Sequence, residues 1–145
     1  MALLQTETAE QGLEALDEEE CLALLGARGV GRVAITMGAI PVVPPVNYCI
    51  QDAAIFFRTG DGLKLRAATD HTVIAFEVDE IDPYSREGWS VLAIGTAKVL
   101  TELDELRCIE RLPLHPWAPG TRAHVVRMVP EFVSGRRIPH SIQDK

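Results

Sequence analysis

Val73-Ile74-Ala75-Phe76-Glu77-Val78-Asp79-Glu80-Ile81 sets Val73, Ala75, Glu77 and Asp79 against Ile74, Phe76, Val78 and Glu80 at alternate positions. A period of two is that of a β-strand, whose successive side chains leave opposite sides of the sheet. One side here is apolar and the other wetter, so the strand lies on a core with its second face toward water. Glu77, Asp79, Glu80 and Asp82 accordingly read as a solvated face and not as general acids or metal ligands.

Outward from this strand the same pattern recurs. Val30 to Met37 and Ile40 to Ile50 read as strands joined across Gly38-Ala39 in a tight hairpin, and Ala54 to Thr59 as a third strand after a turn at Asp52-Ala53. On the C-terminal side, the turn-rich Asp82 to Gly88 leads to a long strand from Trp89 to Leu100. Gly95 inside it predicts a bend or a close backbone approach. Arg122 to Val129 reads as a last strong strand, with Gly135-Arg136-Arg137-Ile138 able to extend that edge beyond Pro130. Helices are expected over residues 13–25, where Leu13, Leu16, Leu22, Leu24 and Leu25 fall near helical spacing, over Leu63 to Thr69, and over Thr101 to Leu112, which Thr101 caps. Pro113, Pro116 and Pro119 make an irregular loop around His115 and Trp117. Strands that outnumber helices and follow one another through short turns predict a mainly β (α+β) fold, an antiparallel barrel with short covering helices. A dinucleotide-binding α/β fold fits poorly, since regular strand–helix alternation and a G-x-G-x-x-G after the first strand are missing.

The 145 residues, 47% of them hydrophobic, suit one domain with a real core. Residues 1–12 read as a flexible acidic arm and 13–145 as the domain. The net charge of −7 is concentrated at the start: seven of the 21 acids (Glu7, Glu10, Glu14, Asp17, Glu18, Glu19, Glu20) lie in the first twenty residues, and the other fourteen balance the fourteen Lys and Arg. No basic stripe of the kind that displaces counterions from nucleic acid is present. Cys21, Cys49 and Cys108 form no C-x-x-C pair, and neither a secretory leader nor a membrane-length apolar run is read. The expectation is a soluble cytoplasmic protein.

Chemistry concentrates in Phe56-Phe57-Arg58-Thr59-Gly60-Asp61-Gly62-Leu63-Lys64. Arg58 offers a planar fork for phosphate oxygens, Thr59 a hydroxyl and Lys64 a point charge, while the glycines free backbone N–H groups at a helix start. The alternative is a pair of solvated charges at a strand end and on a helix. His71, His115, His124 and His140 show no metal-ligand spacing, so no metal is assigned. Cys49 reads as a small buried side chain. No serine sits in a G-x-S-x-G elbow, and no catalytic residue is assigned.

Three segments in order, Pro41-Val42-Val43-Pro44-Pro45-Val46-Asn47-Tyr48, then Phe56 to Lys64, then Gly88-Trp89-Ser90-Val91-Leu92 with Gly95, resemble the pyridoxamine 5'-phosphate oxidase-like proteins. The likeness is to the small actinobacterial and nitroimidazole-resistance branch, and it runs from about Cys21 to Ile138. It implies a flavin-binding split β-barrel and a homodimer with FMN at the subunit interface. Carried onto this chain, it places Phe57, Arg58, Thr59, Gly62 and Lys64 at the phosphate end, with Leu63 where the oxidase has a basic residue. Val46, Asn47, Ser90 and Val91 would lie along the isoalloxazine and Trp117 against the flavin of the partner subunit, with His124 and Arg122 as lesser candidates there. Asn47 could equally bond local backbone, and Trp117 could be a packing residue. The implied activity is flavin-dependent oxidoreduction of a small organic molecule, with a carrier of F420, FMN or haem as the alternative. The basic C-terminal segment that binds substrate in the oxidase has only Arg136-Arg137 near it.

Overall fold

The computed structural model describes residues 13–27, 29–59, 69–101 and 124–139. Its elements are β1 (Glu14–Leu16), α1 (Glu18–Gly26), β2 (Val30–Met37), β3 (Ile40–Val42), β4 (Pro45–Gln51), β5 (Ala54–Thr59), β6 (Thr72–Asp82), β7 (Glu87–Val99) and β8 (His124–Ile138). Six strands follow one another in the order β8, β5, β4, β2, β6, β7, and a further pairing of β7 with β8 closes the ring. Every pairing is antiparallel, and β1 and β3 add to β8 and β2 at the margins. A closed ring leaves no long strand edge unpaired.

Alternation along each strand puts one side chain in two inside the ring. Val33 and Ile35, Val46 and Tyr48, Ile55 and Phe57, Ile74, Phe76 and Val78, Val91, Ala93 and Ala97, and Val126 and Met128 are buried together. At the centre Phe76 meets Tyr48 edge-on, with ring centroids 4.7 Å apart, and stacks at 6.5 Å on Phe57. Helix α1 closes over this core through Cys21 and Leu25, both fully buried. The Tyr48 hydroxyl, buried in the barrel, donates to the Leu25 carbonyl and ties the helix to β4.

Four expectations need correction. The helix predicted over 13–25 starts only at Glu18, because Asp17 caps it by accepting from the Glu20 N–H at 2.8 Å, and Glu14–Leu16 pairs with β8 as a strand. The run predicted as one strand over 40–50 breaks at Val43-Pro44 into β3 and β4, since Pro44 and Pro45 lack the N–H a ladder needs. Pro130 does not end β8. It lies opposite Gly95, and the next pair is Ile94 with Phe132, so Glu131 is the extra residue of a β-bulge. A Cβ on Gly95 would run into the Val129 carbonyl oxygen, which is the close approach its glycine predicts. Lastly, Glu77 is not a solvated residue: it is only partly exposed, and its Oε1 is sealed from water. The helices expected at 63–69 and 101–112, and the Pro-rich loop, lie largely outside the described residues.

The turn at Asp52-Ala53 is of the type the twist of a hairpin favours, with both residues at positive φ (52° and 60°).

Candidate functional site

The outward positions of the ring carry the polar residues singled out by sequence. On β4, Val46 and Tyr48 point into the core and Asn47 points out; on β5, Phe57 points in and Arg58 out. Tyr48 pairs with Phe57, so Asn47 and Arg58 are the next outward residues on adjacent strands. Both are half-buried. Across from them, Val125 pairs with Arg58 and His124 with Thr59. Val125 and Leu100 are buried outside the barrel with Cys49 and Phe56 packed on them, giving Arg58 an apolar flank.

Ser90 points outward from β7, half-buried, between Asp79 of β6 and Arg136 of β8. Its neighbour Val91 is fully buried between Val78 and Gly135. The side chains of Val46, Phe57 and Val91 therefore belong to the core, which leaves their main chain as the part able to meet a ligand. Gly62, Lys64, Trp117 and Arg122 lie outside the described residues.

The ring brings Asn47 and Arg58 together and keeps Ser90 apart from them: β2 and β6 intervene between β4 and β7. At about 4.8 Å per strand, that separation prevents one flat ligand from lying on Asn47 and Ser90 of the same barrel wall. Val30 of β2 is the ladder partner of Asn47, and two residues further along the same strand comes Arg32. It pairs with Pro45 on one side and Glu77 on the other, and its Nη1 lies 3.7 Å from Asp79 Oδ2.

Glu77 and Asp79 lie two residues apart on the same outward side of β6. Burial pushes the Glu77 carboxyl up to about 7, and a hydrogen bond and the negative charge of Asp79 act in the same direction, against a smaller pull from Arg32. Among the described residues the other ionisable side chains with a clear shift are remote from this cluster or exposed: burial raises the Cys21 and Cys49 thiols, and the Tyr84 and Ser85 N–H groups hold Asp82 down. Arg32 and Glu77 were missed as a cluster in the sequence because nothing local joins residue 32 to residue 77; the β2–β6 pairing does. Among the described residues no group of three or more His, Cys, Asp or Glu side chains is placed to hold a metal ion.

The family model described as pyridoxamine 5'-phosphate oxidase matches residues 17–137, which take in all of the closed ring but the last residue of β8 and all three resembling segments. The chain belongs to the pyridoxamine 5'-phosphate oxidase-like family. Among relatives, the uncharacterized protein Rv0080 of Mycobacterium tuberculosis is 36% identical over 128 residues, 85% of this chain and 84% of its own length. Among solved structures, the FAD binding protein of Mycobacterium smegmatis has a TM-score of 0.76 at 31% identity, covering 88% of this chain and 100% of that one. A FAD-binding protein of Mesorhizobium loti follows with a TM-score of 0.67 at 25% identity, covering 88% and 99%. The nitroimidazole-resistance type is more distant within this fold: a Bacteroides thetaiotaomicron protein described as a candidate of that kind reaches a TM-score of 0.65 at 14% identity, over 88% and 89%, a likeness of fold alone. As in other pyridoxamine 5'-phosphate oxidase-like chains, the domain is an antiparallel split barrel. Among its described residues no helix is long and apolar enough to cross a membrane.

Proposed function

We propose that this protein is a flavin-dependent oxidoreductase of small organic molecules that works as a homodimer, with FMN seated between the subunits. The observation that carries the reading is the likeness to a FAD binding protein over 88% of this chain at 31% identity. FAD contains the whole of FMN, so the same phosphate and ring contacts serve either nucleotide. Arg58, flanked by apolar surface and beside Asn47, suits a phosphate end, since a guanidinium is more easily desolvated than an ammonium. Thr59, Gly62 and Lys64 would complete that grip. Asn47 and Ser90 would orient the ring from different subunits.

Two features support pairing of subunits. Asn47 and Ser90 sit on separated walls of one barrel, and a second copy offers each the missing half. The outer side of β6, β7 and β8 also presents an apolar patch, in which Val73 and Val129 flank Thr96 and, in the next row, Ala75 and Phe132 flank Ile94, broken by the Thr96 hydroxyl and Glu131. Val73 is 71% and Phe132 50% exposed, and a second copy laid over them would remove that apolar surface from water at roughly 25 cal/mol per Å².

When bound, the flavin supplies the hydride or electron chemistry; the chain supplies binding, orientation and shelter from water. The purified protein should be yellow and release a flavin that mass analysis assigns as FMN or FAD. Replacing Arg58 and Lys64 together by Ala should weaken FMN binding by well over tenfold, because each charge-assisted phosphate bond contributes about 1.5–3 kcal/mol. Unchanged affinity in that variant removes the phosphate assignment, and a colourless protein that takes up no flavin removes the function.

A further inference from the structure

Glu77 is held in an unusual position for an acid. It lies directly opposite Arg32 in the β2–β6 ladder, yet the guanidinium is placed at 3.7 Å from Asp79. Its Oε1 is buried with no hydrogen-bond partner among the described residues. Its neighbour across β7 is Leu92, which offers only apolar surface, and the outward residue beyond that is Ser134. Among the described residues the charged groups facing the pair are thus Arg32 from β2 and, behind Ser90, Arg136 from β8; β7 contributes none nearby, because its outward residues there are Ser90 and Leu92. One guanidinium close at hand faces two carboxyl groups.

An ionised Glu77 would leave a sealed carboxylate oxygen unpaired beside a second carboxylate, a costly arrangement. Two ionised carboxylates also cannot hydrogen-bond each other, whereas a protonated Glu77 can donate from Oε2 to the Asp79 carboxylate and leaves the sealed Oε1 uncharged. We propose that Glu77 keeps its proton and donates it to the Asp79 carboxylate, so that the outer wall of β6 gains one unit of negative charge once rising pH removes that proton. Below that point the group is Arg32⁺, Asp79⁻ and a neutral Glu77, with no net charge. Above it the same three residues carry one net negative charge.

The charge appears beside a functional surface. Asp79 is the ladder partner of Ser90, and Ser90 of Arg136. If the flavin lies at Ser90, which rests on the function proposed above, loss of the proton places negative charge next to the seated ring and favours its neutral over its anionic form. The switch itself needs no cofactor.

The sign of its effect on folding follows from linkage. The folded Glu77 keeps its proton up to about 7, whereas the unfolded side chain loses it near 4.5. Between those values the native state binds the extra proton, so stability is greatest at the acid end and falls as pH rises, levelling off above the folded value. From pH 5 to pH 8 this one group should raise the unfolding constant by on the order of fifty- to a hundredfold.

The test uses the flavin-free full chain. Carbon-13 NMR of the glutamate side-chain carboxyls should find one resonance that titrates near neutrality and vanishes in Glu77→Gln, and Asp79→Asn should move its midpoint down. Urea unfolding from pH 5 to pH 8 should show the wild-type unfolding constant rising relative to Glu77→Gln by the factor above. A Glu77 resonance that titrates near 4.5, or parallel stability profiles for wild type and Glu77→Gln, overturns the proposal. Since no flavin is present, failure of the flavin reading alone would leave these results untouched.

Discussion

Tyr48→Phe removes one oxygen atom and should reveal how firmly α1 is fastened to the barrel. The Tyr48 hydroxyl donates to the Leu25 carbonyl, and both residues are buried, at 3% and 0% exposure. In the variant the ring keeps its edge-on contact with Phe76 at 4.7 Å, while the hydroxyl's bond to Leu25 is lost. What remains is a helix carbonyl near the C-terminus of α1, out of reach of water and without this donor, a loss of about 1–3 kcal/mol. For a chain of this size that corresponds to a fall in Tm of very roughly 3–10 °C. Chemical denaturation should show a lower midpoint with an unchanged m-value, since the same surface is exposed on unfolding. Tyr48→Leu should lose about 0.5–1.5 kcal/mol more, the added worth of the aromatic pair. A Tyr48→Phe midpoint indistinguishable from wild type would refute the reasoning, because it would mean that the Leu25 carbonyl is satisfied without the hydroxyl.

Other substitutions probe other links. Phe132→Glu, which puts a charge on the β8 side of the apolar patch, should convert the proposed dimer to a monomer in sedimentation velocity and weaken flavin uptake; a dimer that persists places the subunit contact elsewhere. Ala53→Gly should stabilise the β4–β5 hairpin by about 0.5–1 kcal/mol, because Ala53 sits at φ 60°, a conformation that costs a Cβ-bearing residue more than glycine; a lower Tm would count against the turn. Asp17→Ala should cost about 0.5–2 kcal/mol through loss of the cap on Glu20 N–H, and thermal unfolding that matches wild type would show the cap to be dispensable. Gly135→Ala should destabilise, since the added methyl would come within 2.6 Å of Cys21 Sγ and 3.2 Å of the Ser90 carbonyl oxygen, so α1 or β7 must shift; unaltered stability would mean that the packing there is loose.

Much of the barrel was legible one strand at a time. Alternation in residues 73–81 correctly sends Ile74, Phe76 and Val78 inward, and the same period separates Tyr48 from Asn47 and Phe57 from Arg58. Gly95 announced its close contact, and Asp52-Ala53 its turn, because both effects are local to the chain. The misjudged boundaries are also local contests: Asp17 capping a helix against the spacing of leucines upstream, and two prolines interrupting an apolar run. Pro130 misled for a different reason. A proline stops an isolated strand, but at a bulge opposite Gly95 its missing N–H is no loss.

What sequence determines by itself is which side chains each strand sends in or out, since that depends only on a two-residue repeat. It also carries enough ordered motif to place the family. Tertiary structure alone decides neighbours across the ring: that Asn47 stands beside Arg58 but has two strands between it and Ser90, and that Arg32 reaches Asp79 while Glu77 is sealed between Arg32 and Leu92. Those partners are tens of residues apart in the chain. A carboxylate that alternation alone assigns to water becomes a proton-holding group only when strands remote in sequence close around it and take the water away.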